Sequence, residues 1–382
     1  MSMILIKNIE IYSPKYLGIK DVLISGGQIS LIEDQITTFS DKMQVIQGDS
    51  LKMFPGFIDQ HVHITGGGGE GSFKTRVPEI TLSKLIKAGI TTVVGLLGTD
   101  GTTRNVENLV AKAKSLKEEG VSAFVLTGSY EYPTVTLTDS TKKDIIFIDE
   151  VIGAKVALSD HRSASITTSE LARLASDVRV AGMLSGKAGV LCVHMGSGKK
   201  GLSPIFEILQ NTDIPMRTIR PTHVNREEEL LFQAFNYAKM GGMIDLTCGM
   251  KKELRPASVI KLAEEANVPM ENITMSSDGY GSWSKYDAYG NLIEIGVSQV
   301  SELYDELKSM VTEYHFDIES ALQFLTTNVA KALNLYPKKG VLSEGADADI
   351  LLLDKNMDIQ TVIAKGKLMM HKGEILEKGT YE

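Results

Sequence analysis

Gly56-Phe57-Ile58-Asp59-Gln60-His61-Val62-His63-Ile64 decides how the rest of this 382-residue chain is read. Phe57, Ile58, Val62 and Ile64 read as a short buried strand, bounded by Pro55-Gly56 before it and the glycine run 66–69 after it. Side chains two apart on a strand share a face, so His61 and His63 project together. Two imidazoles side by side at a strand end can ligate one metal ion. A lone His-x-His more often means two ordinary, partly buried histidines. Here the other metal-competent residues recur downstream at regular intervals.

Downstream of this strand the chain alternates between two periodicities. Strand-like apolar runs occur at 91–97, 123–126, 155–158, 190–194, 217–223, 243–247 and 272–276. Helix-period segments lie between them at 79–87, 105–119, 169–184, 227–239 and 257–266. Several stop at a glycine, as at Gly89, Gly120 and Gly241. With the His61 strand counted first there are eight strands, which predicts a (β/α)8 barrel. A doubly wound open sheet is the fallback, but no Gly-x-Gly-x-x-Gly follows the first strand.

Spacing then places the chemistry. Active-site groups of such a barrel gather at the C-terminal ends of the strands. His61 and Asp278 are 217 residues apart, or 31 per step over seven steps, which matches roughly 30 residues per unit in a barrel of this class. Lys155 lies 94 residues after His61, at strand four; His194 follows 39 later, at strand five. His223 comes 29 further on, at strand six, and Asp278 another 55 beyond, at strand eight. His61, His63, Lys155, His194, His223 and Asp278 are therefore expected on one rim.

Four imidazoles and a carboxylate exceed one catalytic zinc, which takes about three protein ligands. They suit two divalent ions sharing a bridging hydroxide. A cationic lysine between two metals would be repelled. A neutral Lys155 amine, its pKa depressed by burial and the metals, could capture carbon dioxide and become a bridging carbamate. The plainer alternative is a strand-end lysine paired with a nearby acid.

The two ends of the chain read alike. Short alternating runs with glycine turns fill residues 1–54, and similar runs fill 339–382. Neither end has the apolar content for a core of its own. Both are expected to pair into one smaller β-sandwich, with the barrel, 55–338, inserted between them. The composition, 43% hydrophobic and 23% charged, is that of a water-soluble globular protein. A net charge of −8 argues against a nucleic-acid or anionic-membrane surface. The opening Met1-Ser2-Met3-Ile4-Leu5-Ile6 carries no basic leader. Two cysteines, Cys192 and Cys248, are too few for a disulfide framework, so a reducing cytoplasm is expected.

Taken together, His61-Val62-His63, Lys155, His194, His223 and Asp278 resemble the amidohydrolase superfamily with a carboxylated-lysine binuclear centre. The resemblance is closer still to the isoaspartyl (β-aspartyl) dipeptidase family. It runs through Gly66-Gly67-Gly68-Gly69-Glu70, Leu126-Thr127-Gly128-Ser129-Tyr130 and Ser159-Asp160-His161-Arg162-Ser163. Pro221-Thr222-His223-Val224-Asn225-Arg226 and Ser276-Ser277-Asp278-Gly279 continue it, and it extends into the terminal sheet around 340–349. It implies two zinc ions per chain, with His61, His63 and Asp278 on one and His194 and His223 on the other. Lys155 would bridge them as the carbamate formed from carbon dioxide. Asp278 would act as general base and then acid, and Tyr130 would polarise the scissile carbonyl. Glu70 would take the substrate's α-amino group; Thr99, Arg162, Arg226 and Ser282 would complete substrate binding. The implied reaction is cleavage of a β-aspartyl dipeptide by a homo-oligomer, an octamer being one option.

Each of these residues also has an ordinary reading. Glu70 follows four glycines, which usually signals a flexible linker, although a linker is out of place directly after a His-x-His strand. Arg162 and Arg226 could be surface ion-pair residues, yet each lies just past a ligand-bearing strand, where a guanidinium suits a carboxylate. Tyr130 could be a hydrogen-bonded core tyrosine. His161 is expected to orient strand four without ligating metal. His315, expected on a helix, and His371, expected in the terminal sheet, lie away from the rim and are assigned no role. Gly196-Ser197-Gly198-Lys199-Lys200-Gly201 fails the phosphate-loop spacing. The polar segment 140–144 is a candidate lid. Two other functions compete: a cyclic-amide hydrolase of the hydantoinase or dihydroorotase type, and a non-catalytic scaffold of the same fold.

Overall fold

The computed structural model describes residues 3–37 and 43–382. Met1 and Ser2, part of the opening stretch read above, lie outside the described residues. Both ends of the chain meet in one nine-stranded sheet. The N-terminal end supplies β1 (Met3–Tyr12), β2 (Tyr16–Ser25), β3 (Gln28–Glu33), β4 (Met43–Gln47) and β5 (Lys52–Pro55). In β1, Ile4 and Ile6 face the core, and so do Ile9 and Ile11, which strict alternation would turn outward. A register shift against β2 between Ile6 and Ile9, with Asn8 at φ 54°, restores the inward face.

The barrel follows as β6 (Phe57–Val62), β7 (Ile90–Gly95), β8 (Ser122–Thr127) and β9 (Val151–Leu158). It continues with β10 (Val190–Met195), β11 (Ile219–Thr222), β12 (Ile244–Thr247) and β13 (Ile273–Ser276). These eight strands are parallel neighbours in chain order. Each is followed by a helix: α1 (Leu82–Lys87), α2 (Val106–Glu119), α3 (Thr141–Phe147) and α4 (Thr168–Ser185) in the first half. In the second half come α5 (Ser203–Asn211), α6 (Glu228–Lys239), α7 (Pro256–Glu265) and α8 (Ser301–Thr312). A hairpin, β14 (Ser282–Tyr286) and β15 (Leu292–Val297), stands between β13 and α8. This is the (β/α)8 barrel, its strands near-continuously apolar where they pack beneath the helices.

Helices α9 (Ile318–Leu322) and α10 (Thr327–Ala332) then lead back to β16 (Ile350–Leu353), β17 (Ile359–Ala364), β18 (Lys367–His371) and β19 (Glu374–Ile375). β16 pairs antiparallel with β5, Leu351 opposite Phe54, which joins the two ends. The core between them mixes both: Ile4, Ile6, Ile24 and Met53 pack with Leu342, Ile350, Leu352 and Ile363. The expected β-sandwich built from both termini is therefore present. Among the described residues no helix is long and apolar enough to cross a membrane.

Local boundaries differ from the sequence reading for identifiable reasons. The helix expected at 79–87 starts at Leu82, because Thr81 is extended at φ −103°, ψ 155° as its N-cap. Strand six is only Ile219–Thr222, since the preceding turn Met216–Thr218 is a 3-10 helix and His223 turns to φ 61°. His63 and Asp278 likewise lie just past their strands. The segment 140–144, the candidate lid, opens α3. Ser140 caps α3 by accepting the Lys143 N–H, and fully buried Asp144 accepts from Thr127 Oγ1 at 2.6 Å and from the N–H groups of Leu137 (3.0 Å) and Thr138 (2.9 Å). His315 lies just beyond α8 rather than within a helix.

Candidate active site

At the C-terminal mouth of the barrel a cavity of about 360 Å³ opens above the strand ends. His61 is the penultimate residue of β6 and Lys155 sits mid-β9, both buried beneath the cavity, with Lys155 Nζ 2.8 Å from His61 Nε2. The His61 ring centroid lies 4.7 Å from that of His223, and His223 lies 4.6 Å from His194. Asp278 Oδ1 is 3.2 Å from His63 Nε2 and 3.5 Å from His61 Nε2. All six residues that the spacing placed on one rim do meet there.

The electrostatics follow from burial. Desolvation pushes His61, His194 and His223 well below the ordinary histidine range, with Lys155 or neighbouring groups of like charge adding to it. Burial likewise brings Lys155 down to about 8. Burial works against charge on Asp278, but His223 and His63 beside it hold the carboxyl at about 2. Four neutral imidazoles, a readily neutralised amine and an ionised carboxylate are a donor set for divalent cations. Asp278 Oδ1 is also buried with no aligned hydrogen-bond donor, and ligand atoms of His61, His223 and Asp278 lie within 4.8 Å of one another. These residues fit a metal centre.

The residues around the cluster are held by specific partners. His223 Nδ1 is 2.7 Å from Thr247 Oγ1, which leaves Nε2 for the cavity. His194 Nε2 is 3.0 Å from Asp160 Oδ2, and its Nδ1 is 2.7 Å from the Tyr130 hydroxyl. Burial raises the Tyr130 phenol, keeping it protonated. Asp160 also takes Arg162 Nε at 3.0 Å and NH2 at 2.8 Å. Burial opposes ionisation of Asp160, but the hydrogen bonds from His194 and Arg162 hold it far below the usual carboxylate range. The supporting role expected of His161 thus falls to its neighbour. His161 is exposed, its ring 4.6 Å from Tyr286 on the hairpin.

Glu70 is the other centre of the cavity. Its glycine run is no linker: Gly66 and Gly68 sit at φ 77° and 79°, and a Cβ there would come within 2.0 Å of Val77 O and 2.3 Å of Thr75 O. The tight loop aims Glu70 inward. Oε1 accepts from Ser282 Oγ (2.8 Å) and Thr99 Oγ1 (3.2 Å), and Arg162 NH1 lies at 3.4 Å. Oε2 is buried and has no partner among the described residues. Arg226 lines the same cavity, half-buried, after β11. Sequence reading missed Asp160, Thr247 and the cavity wall from Cys248 to Met250 and Trp283. Only Asp160 left a signal, as the second carboxylate beside an expected arginine.

The amidohydrolase family model matches residues 53–205 and 221–369. The chain belongs to the amidohydrolase family. Within it, the chain is similar to the β-aspartyl dipeptidase of Fervidobacterium islandicum AW-1, crystallised in complex with the dipeptide β-Asp-Leu. The two are 42% identical, with 98% of each chain covered and a TM-score of 0.93. A second crystal structure of the Fervidobacterium enzyme gives 41% identity and a TM-score of 0.90, again over 98% of each chain. A dihydroorotase of Elusimicrobium minutum is 26% identical over 403 aligned positions, covering 92% of this chain and 88% of its own.

Proposed function

We propose that this amidohydrolase is a β-aspartyl dipeptidase, hydrolysing the side-chain amide of β-aspartyl dipeptides to aspartate and an amino acid. The observation that carries the reading is Glu70: a buried carboxylate with one oxygen anchored by Ser282 and Thr99 and the other unpartnered at a metal-competent cluster. An α-ammonium satisfies that oxygen, and a cyclic amide has none to offer. His61, His63 and Asp278 would hold one zinc ion, His194 and His223 the other, with Lys155 bridging them as a carbamate. Bound there, the metals would acidify a water and polarise the scissile carbonyl.

The chain's own residues supply the rest. Asp278, ionised in place, accepts a proton from the attacking water and returns it to the departing amine nitrogen. Tyr130, kept protonated by burial, donates its hydroxyl hydrogen to the carbonyl oxygen as charge develops there. Arg162, fixed by Asp160, and Arg226 receive the two carboxylates of the dipeptide. On this reading residues 55–338 form the catalytic unit, and the 1–54 and 339–382 ends the supporting sandwich, in a cytoplasmic homo-oligomer. Aspartate release from β-Asp-Leu, α-Asp-Leu and dihydroorotate ring opening, measured side by side on purified protein, tests it. β-Asp-Leu alone is expected to react efficiently. Faster turnover of dihydroorotate would replace this reading with the cyclic-amide one.

A further inference from the structure

Three of the residues in the candidate metal centre sit on or just past the first and last barrel strands, and those strands are the least directly joined. Backbone pairing runs from β13 round to β6, and among the described residues no ladder closes the gap between them. One isolated bridge, Val62 with Gly279, spans the seam, with the His63 N–H donating to Gly279 O at 2.9 Å. Two side chains of β6 also cross it, and one is Gln60, whose Nε2 donates to Thr274 Oγ1 on β13 at 2.6 Å. The other, Asp59, fully buried on β6, accepts the backbone N–H groups of His61 and of Ser277 through Oδ1, each at 3.3 Å. Its Oδ2 accepts the Ser277 hydroxyl. Ser277 Oγ in turn accepts the Gly279 N–H at 2.8 Å.

Asp278 is therefore clamped on both sides. Ser277 before it and Gly279 after it are tied to the His61–His63 strand, directly or through one hydroxyl. Asp278 itself sits at φ 52°, in the left-handed region that aspartate tolerates better than most residues. Among the described residues, every hydrogen bond of the Asp59 carboxylate goes to His61 or to Ser277. A carboxylate serving only to fill the core would have no reason to spend them all on the neighbours of site residues.

We infer that Asp59 is a positioning residue that, through Ser277, sets the placement of Asp278 against His61 and His63 across the barrel seam. It lines no part of the cavity and touches no substrate. The inference rests on the proposed function in assuming that Asp278 and the histidine pair work as one centre. A displacement of about 1 Å at a reacting group can cost roughly 10²-fold in rate. Loss of the clamp should therefore appear in turnover, with the Glu70 and Arg162 substrate contacts left intact.

Ser277→Ala, the milder change, and Asp59→Asn are made in the full chain and compared with wild type by kcat and KM on β-Asp-Leu and by thermal melting. Visible absorption of cobalt(II) bound to the metal-stripped protein is recorded for each. For Ser277→Ala the expected result is a melting temperature within a few degrees of wild type and KM within about 3-fold, with kcat lowered roughly 10²-fold. The cobalt(II) bands should shift or change intensity in both variants. Unchanged kcat and cobalt(II) spectra in a folded Ser277→Ala protein would overturn the inference. So would a rise in KM at constant kcat. If wild type does not cleave β-Asp-Leu, the functional reading fails, and the cobalt(II) comparison still decides the role of Asp59.

Discussion

Glu70→Gln separates an ammonium anchor from a merely polar wall. Glutamine has nearly the same shape, and its amide oxygen can keep the hydrogen bonds from Ser282 Oγ and Thr99 Oγ1 now taken by Glu70 Oε1. What it cannot do is present a second acceptor: the position of Oε2, buried and unpartnered here, becomes an NH2 facing the substrate's ammonium. A hydrogen bond to a charged group contributes about 1.5–3 kcal/mol. Leaving a buried charge unpaired costs about 3–5 kcal/mol. The Glu70 side chain is only 6% exposed, but the cavity above it opens to solvent, so a loss near 3 kcal/mol is the reasonable figure. That corresponds to roughly 10²-fold in kcat/KM. The assay is leucine release from β-Asp-Leu and from N-acetyl-β-Asp-Leu by both proteins. Wild type should discriminate strongly against the acetylated dipeptide, and Glu70→Gln should lose most of that discrimination. An acetyl penalty of equal size in both proteins, or a Glu70→Gln variant within about 3-fold of wild type on β-Asp-Leu, would refute the anchor.

Three further outcomes are expected. Lys155→Ala should lose most bound metal and activity, with partial rescue by bicarbonate or short carboxylic acids; full activity without additive would rule out the carbamate. Asp278→Asn should fold and keep much of its metal but lose turnover by about 10²–10⁴-fold, because an amide cannot accept and return the proton; metal analysis alongside kcat checks this. Glu150 sits away from the site, and although burial opposes its ionisation, Lys117 at 2.6 Å and Lys114 at 2.9 Å hold its pKa down to about 2. A depressed carboxyl stabilises the fold above its unfolded value of 4.5 and loses that contribution as pH falls toward 2. Glu150→Gln should therefore melt lower than wild type at pH 7, with the gap closing between about pH 4.5 and 2 in paired thermal scans. A constant gap would contradict the assignment.

The barrel and the metal cluster were legible because both are written in local pattern and regular spacing. His61 and His63 advertise themselves two apart, and the barrel's repeat carries Lys155, His194, His223 and Asp278 to the same end. What stayed hidden is pairing across sequence distance. Nothing near Asp59 announces that its partner is Ser277, 218 residues away. In Asp160-His161-Arg162 the histidine draws attention as a metal-type residue. Only the fold shows that the aspartate reaches His194 and Arg162 while the imidazole lies outside against Tyr286. The segment 140–144 reads as polar. Its carboxylate is turned inward onto Thr127, and charge on a sequence does not say which way a side chain faces. Ser203-Pro204, a standard helix opening, could have located α5.

The measurement that bears most directly on the account is a crystal structure of the Asp278→Asn variant soaked with β-Asp-Leu, with anomalous data collected on both sides of the zinc edge. Two anomalous peaks are expected among His61, His63, Lys155, His194 and His223, with extra density on Lys155 Nζ and the dipeptide's α-ammonium hydrogen-bonded to Glu70 Oε2. A single peak or none, an unmodified Lys155, or a dipeptide bound with its ammonium away from Glu70 would contradict the account.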